Sequence, residues 1–538
     1  MRRHRESTKR ASSLMYCDEG SFKSQIHRTV QEHRFKKSSD PVVAATEPLE
    51  NYIAIVHQLL GPEPLTPPVL VDKPGYVSGS PSHLDQGDHE CLKTKEALGV
   101  PTARFRNALL KSYVLWVHPQ MPILDMDNFL CEIAKNDVHN SISPLLYHAV
   151  MFAASDFVDI SYIHREGYTS RGAARDVMFQ RVKGLLNVNC EDDRLTTVQA
   201  LLLLTHWNDE PLSEEDTSHW MDICLSMAMR IGLHRSPNPS NLTLSQQKTW
   251  RRTWWALYNH VSLTAGDLPS VMRLQEGHTD GHPVDPPMIT LNDFQFGVFG
   301  PEARAIVDDC DVFQSVELQK TQTHLFIEKT RLCRLSQFSR VANRVSNLAH
   351  GINRPETWSC SRNRGANADK TEKLRRWFLQ LPAAACHQYP SALTQTEWDR
   401  SVYLHRAWLR LLYLGSLYAA CCDQFQAANG TSPCFSTCPQ SDQVDKYLLD
   451  ITDLFDEVDS LGLSGHLPSS ATALLVLVLT YHKRPLDTTM SLDQAKRARS
   501  LHKCWNMIHK LEETSRLASS MIAAVKDSSF CGGTTWYP

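Results

Sequence analysis

A carboxylate cluster at Val307-Asp-Asp-Cys-Asp311 is the first place where side chains of one type come close enough for joint chemistry. Asp308, Asp309 and Asp311, read here on a helix, could hold magnesium ions that grip a diphosphate, as in helical prenyl-transferring enzymes. Such enzymes need a second carboxylate motif, and none is recognisable. The competing reading is an acidic solvated patch or a helix N-terminus. His278, Asp280, His282 and Asp285 lie in Gly277-His-Thr-Asp-Gly-His-Pro-Val-Asp285. Imidazole and carboxylate at this spacing suit zinc or iron. Two glycines and a proline place the four on a loop that fixes no geometry, which favours a solvated turn. Nucleophile elbows, zinc-protease helices, phosphate-binding glycine loops and dinucleotide fingerprints are not found.

The sequence holds 15 cysteines and no C-x-x-C pair. A binuclear zinc cluster needs six thiolates from paired units in a short segment, so that two ions share bridging sulfurs. Here Cys17 is the only cysteine before Cys91, Cys421 and Cys422 are adjacent, and Cys434 and Cys438 lie in a Ser/Pro loop. Ordinary reduced thiols are expected, without a disulfide framework. No cofactor is expected in this chain, and zinc only if a cluster precedes it.

Positive charge concentrates at Arg2, Arg3, Arg5, Lys9 and Arg10, and again at Arg34, Lys36 and Lys37. Flexible basic side chains bind phosphates by charge without needing a fold, so these clusters suit nuclear import or phosphate contact. A solubilising tail is the alternative. In Trp250-Arg-Arg-Thr-Trp-Trp-Ala-Leu-Tyr258, helical spacing sets Trp250, Trp254, Leu257 and Tyr258 on one face. Large rings at that spacing read first as core and second as a pocket wall.

The elements that must position these groups follow from composition and period. The 538 residues are 42% hydrophobic, enough for one very large or two ordinary cores. A formal charge of -3 and a pI near 6.8 give no global field toward nucleic acid or anionic membrane, so any DNA contact is local. No apolar region follows the basic start, and the longest apolar run, Ala471 to Thr480, falls short of the roughly 20 residues of a spanning helix. Synthesis is therefore expected to finish in the cytosol, and the sequons at Asn241 and Asn429 read as chance matches.

Residues 1–45 read as a disordered basic arm and 46–100 as a Pro/Gly/Ser-containing linker with one short helix at 51–60. After Pro101 the period is 3.6 and the expected fold class is all-α. Trp220, Ile223, Met227 and Ile231 share a face, and Gly232 stands where a left-handed cap would end the helix. Leu374, Trp377, Phe378 and Leu381 repeat the pattern before Pro382. Val444, Tyr447, Leu448, Ile451, Phe455 and Val458 form one stripe, and Leu501, Trp505, Ile508 and Leu511 another. The expected division is a helical domain over 101–352, a mobile loop over 353–368, a second helical half over 369–515 and a frayed tail over 516–538.

Four segments in order carry a family resemblance: LYHAVMFAAS from Leu146, LTTVQALLLLTHW from Leu195, SHWMDICLSMAMRIGLHR from Ser218, and WRRTWWALYNHVSLTAGDLPSVMRL from Trp250. Together they resemble the fungal-specific transcription factor domain, the middle homology region of zinc-cluster regulators. DPPMITLNDF from Asp285, LRRWFLQLP from Leu374 and the segment Asp453 to His482 are similar to the cutinase transcription factor subgroup. The resemblance spans about residues 100 to 515. It makes Trp207, Trp220, Gly232, His234, Arg235, Trp250, Arg252, Trp254 and Trp255 family positions, mainly of the core.

The resemblance implies a nuclear protein acting on RNA polymerase II promoters of a metabolic or secondary-metabolite gene set, without catalysis. Its implied partners are DNA or a DNA-binding protein, a small-molecule effector and a second copy of the chain, with no membrane. The sequence departs from the family in two places. The zinc cluster expected before the linker is missing, and the Gly-Arg-Pro element appears as Gly266-Asp-Leu-Pro269. Two alternatives stay open: a co-regulator that reaches DNA only through a partner, and a magnesium-dependent enzyme using Asp308, Asp309 and Asp311.

Overall fold

The computed structural model describes residues 74–79, 84–137, 141–206, 217–237, 242–264, 286–308, 310–336, 364–388, 396–429, 442–482, 491–511, 518 and 522. All of them belong to one compact unit, Leu65–Pro538. Among the described residues the chain is helical, and the one extended pairing is a parallel bridge between Val77 and Ile142.

Side-chain caps start most of the early helices, satisfying backbone N–H groups that have no intrahelical partner. Asp85 and Asp88 form a capping box on α1 (Gln86–Thr94), and Thr102 caps α2 (Ala103–Ser112). Asp125 caps α3 (Met126–Lys135), which Asn136 ends in the left-handed conformation. Ser143 and Pro144 open α4 (Pro144–Ala154). Next come α5 (Ile160–Arg165), α6 (Arg171–Asn187), capped by Ser170, and α7 (Arg194–Leu204), capped by Asp193. The middle of the chain supplies α8 (Thr217–Arg230), α9 (Leu244–Thr264), α10 (Pro301–Ile306) and α11 (Val316–Leu335). Then follow α12 (Arg364–Leu379), α13 (Glu397–Asn429), α14 (Asp442–Ser460), α15 (Ala471–His482) and α16 (Ser491–Leu511).

Helices apolar all round lie inside and amphipathic ones outside them. Leu201 to Leu204 of α7 are all buried, and α7 packs between α4 and α8. α4 also packs on α6, and α9 on α11. From Ala471 to Leu479, α15 is buried at every position and packs on α14 and α16. The Val444 to Val458 stripe of α14 is buried against α13 and α16. α11 meets both α9 and α13, so residues on either side of the 353–368 segment share one core.

Directly after α2 the chain makes a π turn, Tyr113–Val117. The cause is local. Pro119 has no N–H to give the Leu115 carbonyl, and the His118 N–H goes to Tyr113 O at 2.8 Å. Side chains from distant helices take the Val114 and Leu115 carbonyls that this leaves without a backbone donor. Ser401 Oγ and His405 Nε2 of α13 donate to Leu115 O at 2.5 and 3.1 Å, and Gln322 Nε2 of α11 donates to Val114 O at 3.4 Å.

Several sequence expectations change. Within the stretch read as linker, α1 packs on α6, and Tyr76, Val77, Leu84, Leu92, Ala97 and Val100 are buried. The stretch read as a loop up to residue 368 already enters α12 at Arg364. In the stretch read as a tail, Ala518 and Ile522 are buried. Apolar residues there repeat at four-residue spacing and so reach the core despite polar neighbours. The arm at 1–45 and the helix expected at 51–60 lie outside the described residues. No helix among the described residues is long and apolar enough to cross a membrane.

Candidate functional site

A cavity of about 90 Å³ opens where α7, α9, α11 and α13 converge on the turn that follows the π turn. Trp116 and Gln120 come from that turn, Thr205 and His206 from the end of α7, and His260 from α9. Lys329 of α11, His405 of α13 and His466 of the 3-10 turn Ser464–His466 complete its polar lining. Most of these groups sit on faces that are otherwise apolar, so helix packing carries them inward.

Hydrogen bonds orient the rings. His405 Nε2 donates to Leu115 O, which leaves Nδ1 to accept from Gln120 Nε2 at 2.7 Å. Gln120 Oε1 then accepts from Lys329 Nζ, which also donates to Gln120 O at 2.9 Å. Thr205 Oγ1 donates to Leu202 O at 2.5 Å and so accepts from His260 Nε2 at 2.8 Å. His206 stacks on His260 with ring centres 6.0 Å apart, and its buried Nε2 has no partner. His466 lies 4.1 Å from the Trp116 ring, with its Nδ1 buried and unpartnered.

Burial sets the charge state, since taking a charged form out of water is costly. It pulls His206, His405 and His466 down to about 4 and His260 to about 3. Burial also pulls Lys329 from 10.5 to about 8. At neutral pH the cavity thus holds four neutral imidazoles and one ammonium. Asp156 is the one carboxylate among the described lining residues, and it pairs with Arg175, which also donates to His206 O at 2.6 Å. The histidines do not gather as metal ligands: among the described residues no group of three or more His, Cys, Asp or Glu could hold an ion.

Arg252 belongs to a second cavity, of about 150 Å³, between α3, α9 and α11. Its guanidinium is buried, donates from Nη2 to Thr249 Oγ1 at 3.0 Å, and leaves Nε without a partner. Tyr113 Oη and His118 Nδ1 nearby are also buried without partners.

The other residues singled out from sequence occupy varied settings. Trp220 packs edge-on against Phe179 at 5.8 Å, and Gly232 follows α8 with φ +77°. His234 lies 6.1 Å from the Trp254 ring. Arg235 O accepts from Trp250 Nε1 at 3.3 Å, and Trp255 Nε1 donates to Pro287 O at 3.2 Å. Trp254 and Trp255 are buried, and none of the three tryptophans Trp250, Trp254 and Trp255 lines the Lys329 cavity. Asp308 and Asp311 are not on an α-helix: α10 ends at Ile306, Asp308 takes a left-handed backbone at φ +55°, and Asp311 opens a 3-10 turn. Asp308 is exposed and accepts from Lys111 Nζ at 3.1 Å. Cys91 and Cys421 are half-buried free thiols. The basic residues Arg2 to Lys37, Trp207, His278, Asp280, His282, Asp285 and Asp309 lie outside the described residues.

Residues 110–259 match the family described as the fungal specific transcription factor domain. Cutinase transcription factor 1 beta of Fusarium vanettenii is 29% identical over 455 residues, covering 82% of this chain and 51% of that protein. Transcription factor cpaR of Aspergillus oryzae is 31% identical over 368 residues, 66% of this chain and 59% of its own. The acetamidase regulatory protein of Aspergillus fumigatus is 26% identical over 297 residues, 53% of this chain and 32% of its own. The chain thus spans 51% of the first of these relatives. No solved structure matches it. The stretch that supplies Trp116, Gln120, Thr205 and His206 to the cavity, residues 110–259, belongs to the family of fungal specific transcription factor domains.

Proposed function

We propose that this chain is a fungal transcription regulator whose helical body sets its output. The observation that carries the reading is the family match over residues 110–259, together with relatives named as transcription factors over most of the chain. Relatives named for cutinase, acetamidase and a fusaric acid cluster support control of a metabolic or secondary-metabolite gene set; on this reading RNA polymerase II transcribes it. The regulator works in the nucleus, with DNA or a DNA-binding protein as its partner. Its basic clusters, Arg2 to Arg10 and Arg34 to Lys37, serve import or phosphate contact, and the reading assigns no zinc to the chain, whose 15 cysteines include no C-x-x-C pair.

The reading assigns no catalytic step. The exposed, Lys111-paired carboxylate of Asp308 and the separate turn that carries Asp311 support this, because a diphosphate site needs its carboxylates gathered on one side of the ions. To test the reading, the full chain is fused to a heterologous DNA-binding domain and expressed in a fungal cell with a matching reporter. Nuclear fluorescence and a several-fold change in reporter output are expected. Unchanged output from a nuclear fusion would end the reading.

A further inference from the structure

We propose that the cavity between α7, α9, α11 and α13 binds a small organic carboxylate, held by the Lys329 ammonium, with the unpartnered Nε2 of His206 in the same cavity. This deepens the regulatory reading and rests on it for its biological meaning, though not for its chemistry.

The argument starts from an unbalanced charge. Lys329 is 6% exposed, and its Nζ donates to two neutral oxygens, both of Gln120. An ammonium has three donors; Nζ also lies 5.5 Å from the centre of the Phe326 ring, and no described anion pairs with it. Asp156 is committed to Arg175, and Cys333, one turn along α11, faces Lys329 as a neutral thiol whose ionisation burial opposes. Among the described residues the other titratable groups around it are His206, just past the end of α7, His260 of α9 and His405 of α13, all neutral. A buried ammonium without an anion is costly, and a neutral side chain could tie Gln120 to α11 without that cost. The retained charge has a purpose if an anion comes to it.

Size and charge narrow the class. About 90 Å³ is room for roughly three waters at their share of the liquid, which fits a carboxylate with a short organic body. One ammonium matches a monoanion, whereas a phosphate dianion would press its second charge on the imidazole lone pairs. Apolar surface from Trp116, Leu263 and Leu467 suits the organic end. His206 Nε2 is buried and unpartnered, a polar atom awaiting a ligand. A carboxylate seated on Lys329 would bridge α11 to the ends of α7 and α9, favouring the state in which these helices are docked.

The experiment uses the purified full chain with formate, acetate and propionate, each against formamide, acetamide or propionamide of the same shape. At 100 times its Kd, at least one carboxylate is expected to raise the unfolding midpoint by about 3 °C, with its amide binding at least tenfold more weakly. Calorimetry should show affinity falling as pH rises past the point where Lys329 loses its proton. Lys329→Met, or Lys329→Gln should the first not fold, abolishes the preference for the acid over its amide. The proposal is overturned if no carboxylate binds, if the amides bind equally, if inorganic phosphate binds more tightly, or if a folded Lys329 variant keeps the preference. Binding on the purified chain is independent of transcription. Carboxylate binding through Lys329 with an unchanged tethered reporter would uphold the site and end the regulatory reading alone.

Discussion

The carbonyl oxygen of Leu115 and Nε2 of His405 meet at 3.1 Å across 290 residues of chain. The contact exists because Pro119 cannot supply the amide that an α-helical continuation would bring to Leu115. A local defect in α2 is thereby repaired by α13, and the same ring passes its other nitrogen to Gln120 and so to Lys329. The π turn and the cavity are one hydrogen-bonded structure.

His405→Phe should therefore destabilise the fold through two groups at once. Leu115 O keeps Ser401 as its only described donor, and Gln120 Nε2 loses its acceptor. A cost of about 1–3 kcal/mol is expected in urea unfolding, since each stranded polar group carries its desolvation penalty. Ser401→Ala combined with His405→Phe should cost more than the two single changes added, because both serve one carbonyl. Strict additivity would show that the shared acceptor is not what holds α13 to the π turn.

His466 makes the acid stability of the domain testable. Burial holds its folded pKa at about 4, below the ordinary 6.5, so the unfolded chain takes the proton first. The stabilising contribution is complete above about pH 6.5 and declines as pH falls through 4, by about 3 kcal/mol at 1.36 kcal/mol per unit. His466→Phe keeps a ring against Trp116 and Phe157 but removes the titration. Between pH 4.5 and 6.5 its unfolding free energy should climb less steeply than the wild type's by about one proton. Parallel slopes would mean that His466 is not neutral in the fold.

Gly232→Ala isolates a backbone cost. Gly232 has φ +77°, and an added Cβ would find only Arg235 Cδ, at 4.0 Å. No clash contributes, so the expected loss is about 1 kcal/mol, from holding an L-residue in the left-handed region. A loss above about 3 kcal/mol would reveal a packing role that the geometry does not contain.

The all-α class was legible because apolar stripes at period 3.6 are a property of single segments: Val444 to Val458 and Leu374 to Leu381 each announce a face without reference to the rest. Gly232 was legible for the same reason. The cavity was not, because its polar groups are scattered from Gln120 to His466 and each sits singly on an apolar face, where a histidine reads as core. Lys329 offered the clearest missed signal. It lies on the face of Leu325 and Phe326, which the helical period turns inward, so a charge there should have stood out. The acidic run Asp308 to Asp311 misled in the opposite way. Close spacing suggested a shared helical face, but Asp308 is left-handed and the helix has already ended.

Lys329→Met tests the charge state without any ligand. Burial lowers the folded pKa of Lys329 to about 8, while the unfolded chain binds its proton up to about 10.5. The folded state is thus penalised below pH 8, and the penalty is relieved as pH rises from 8 to 10.5. At 1.36 kcal/mol per unit the relief comes to about 3 kcal/mol, appearing as a rise in stability across that window. Methionine has a similar length, carries no charge, and removes the titrating group. It also leaves Gln120 O and Oε1 without Lys329, a loss of about 1–3 kcal/mol that does not depend on pH. Near pH 7 the two effects oppose, and the variant should lie within about 2 kcal/mol of the wild type. At pH 10 only the lost hydrogen bonds remain, and the variant should be clearly the less stable. Tyrosines and cysteines titrate in the same window in both proteins and cancel in the difference. Urea unfolding at pH 7, 8.5 and 10 gives that difference directly; a gap constant with pH would place the Lys329 ammonium in contact with water or with an anion already bound.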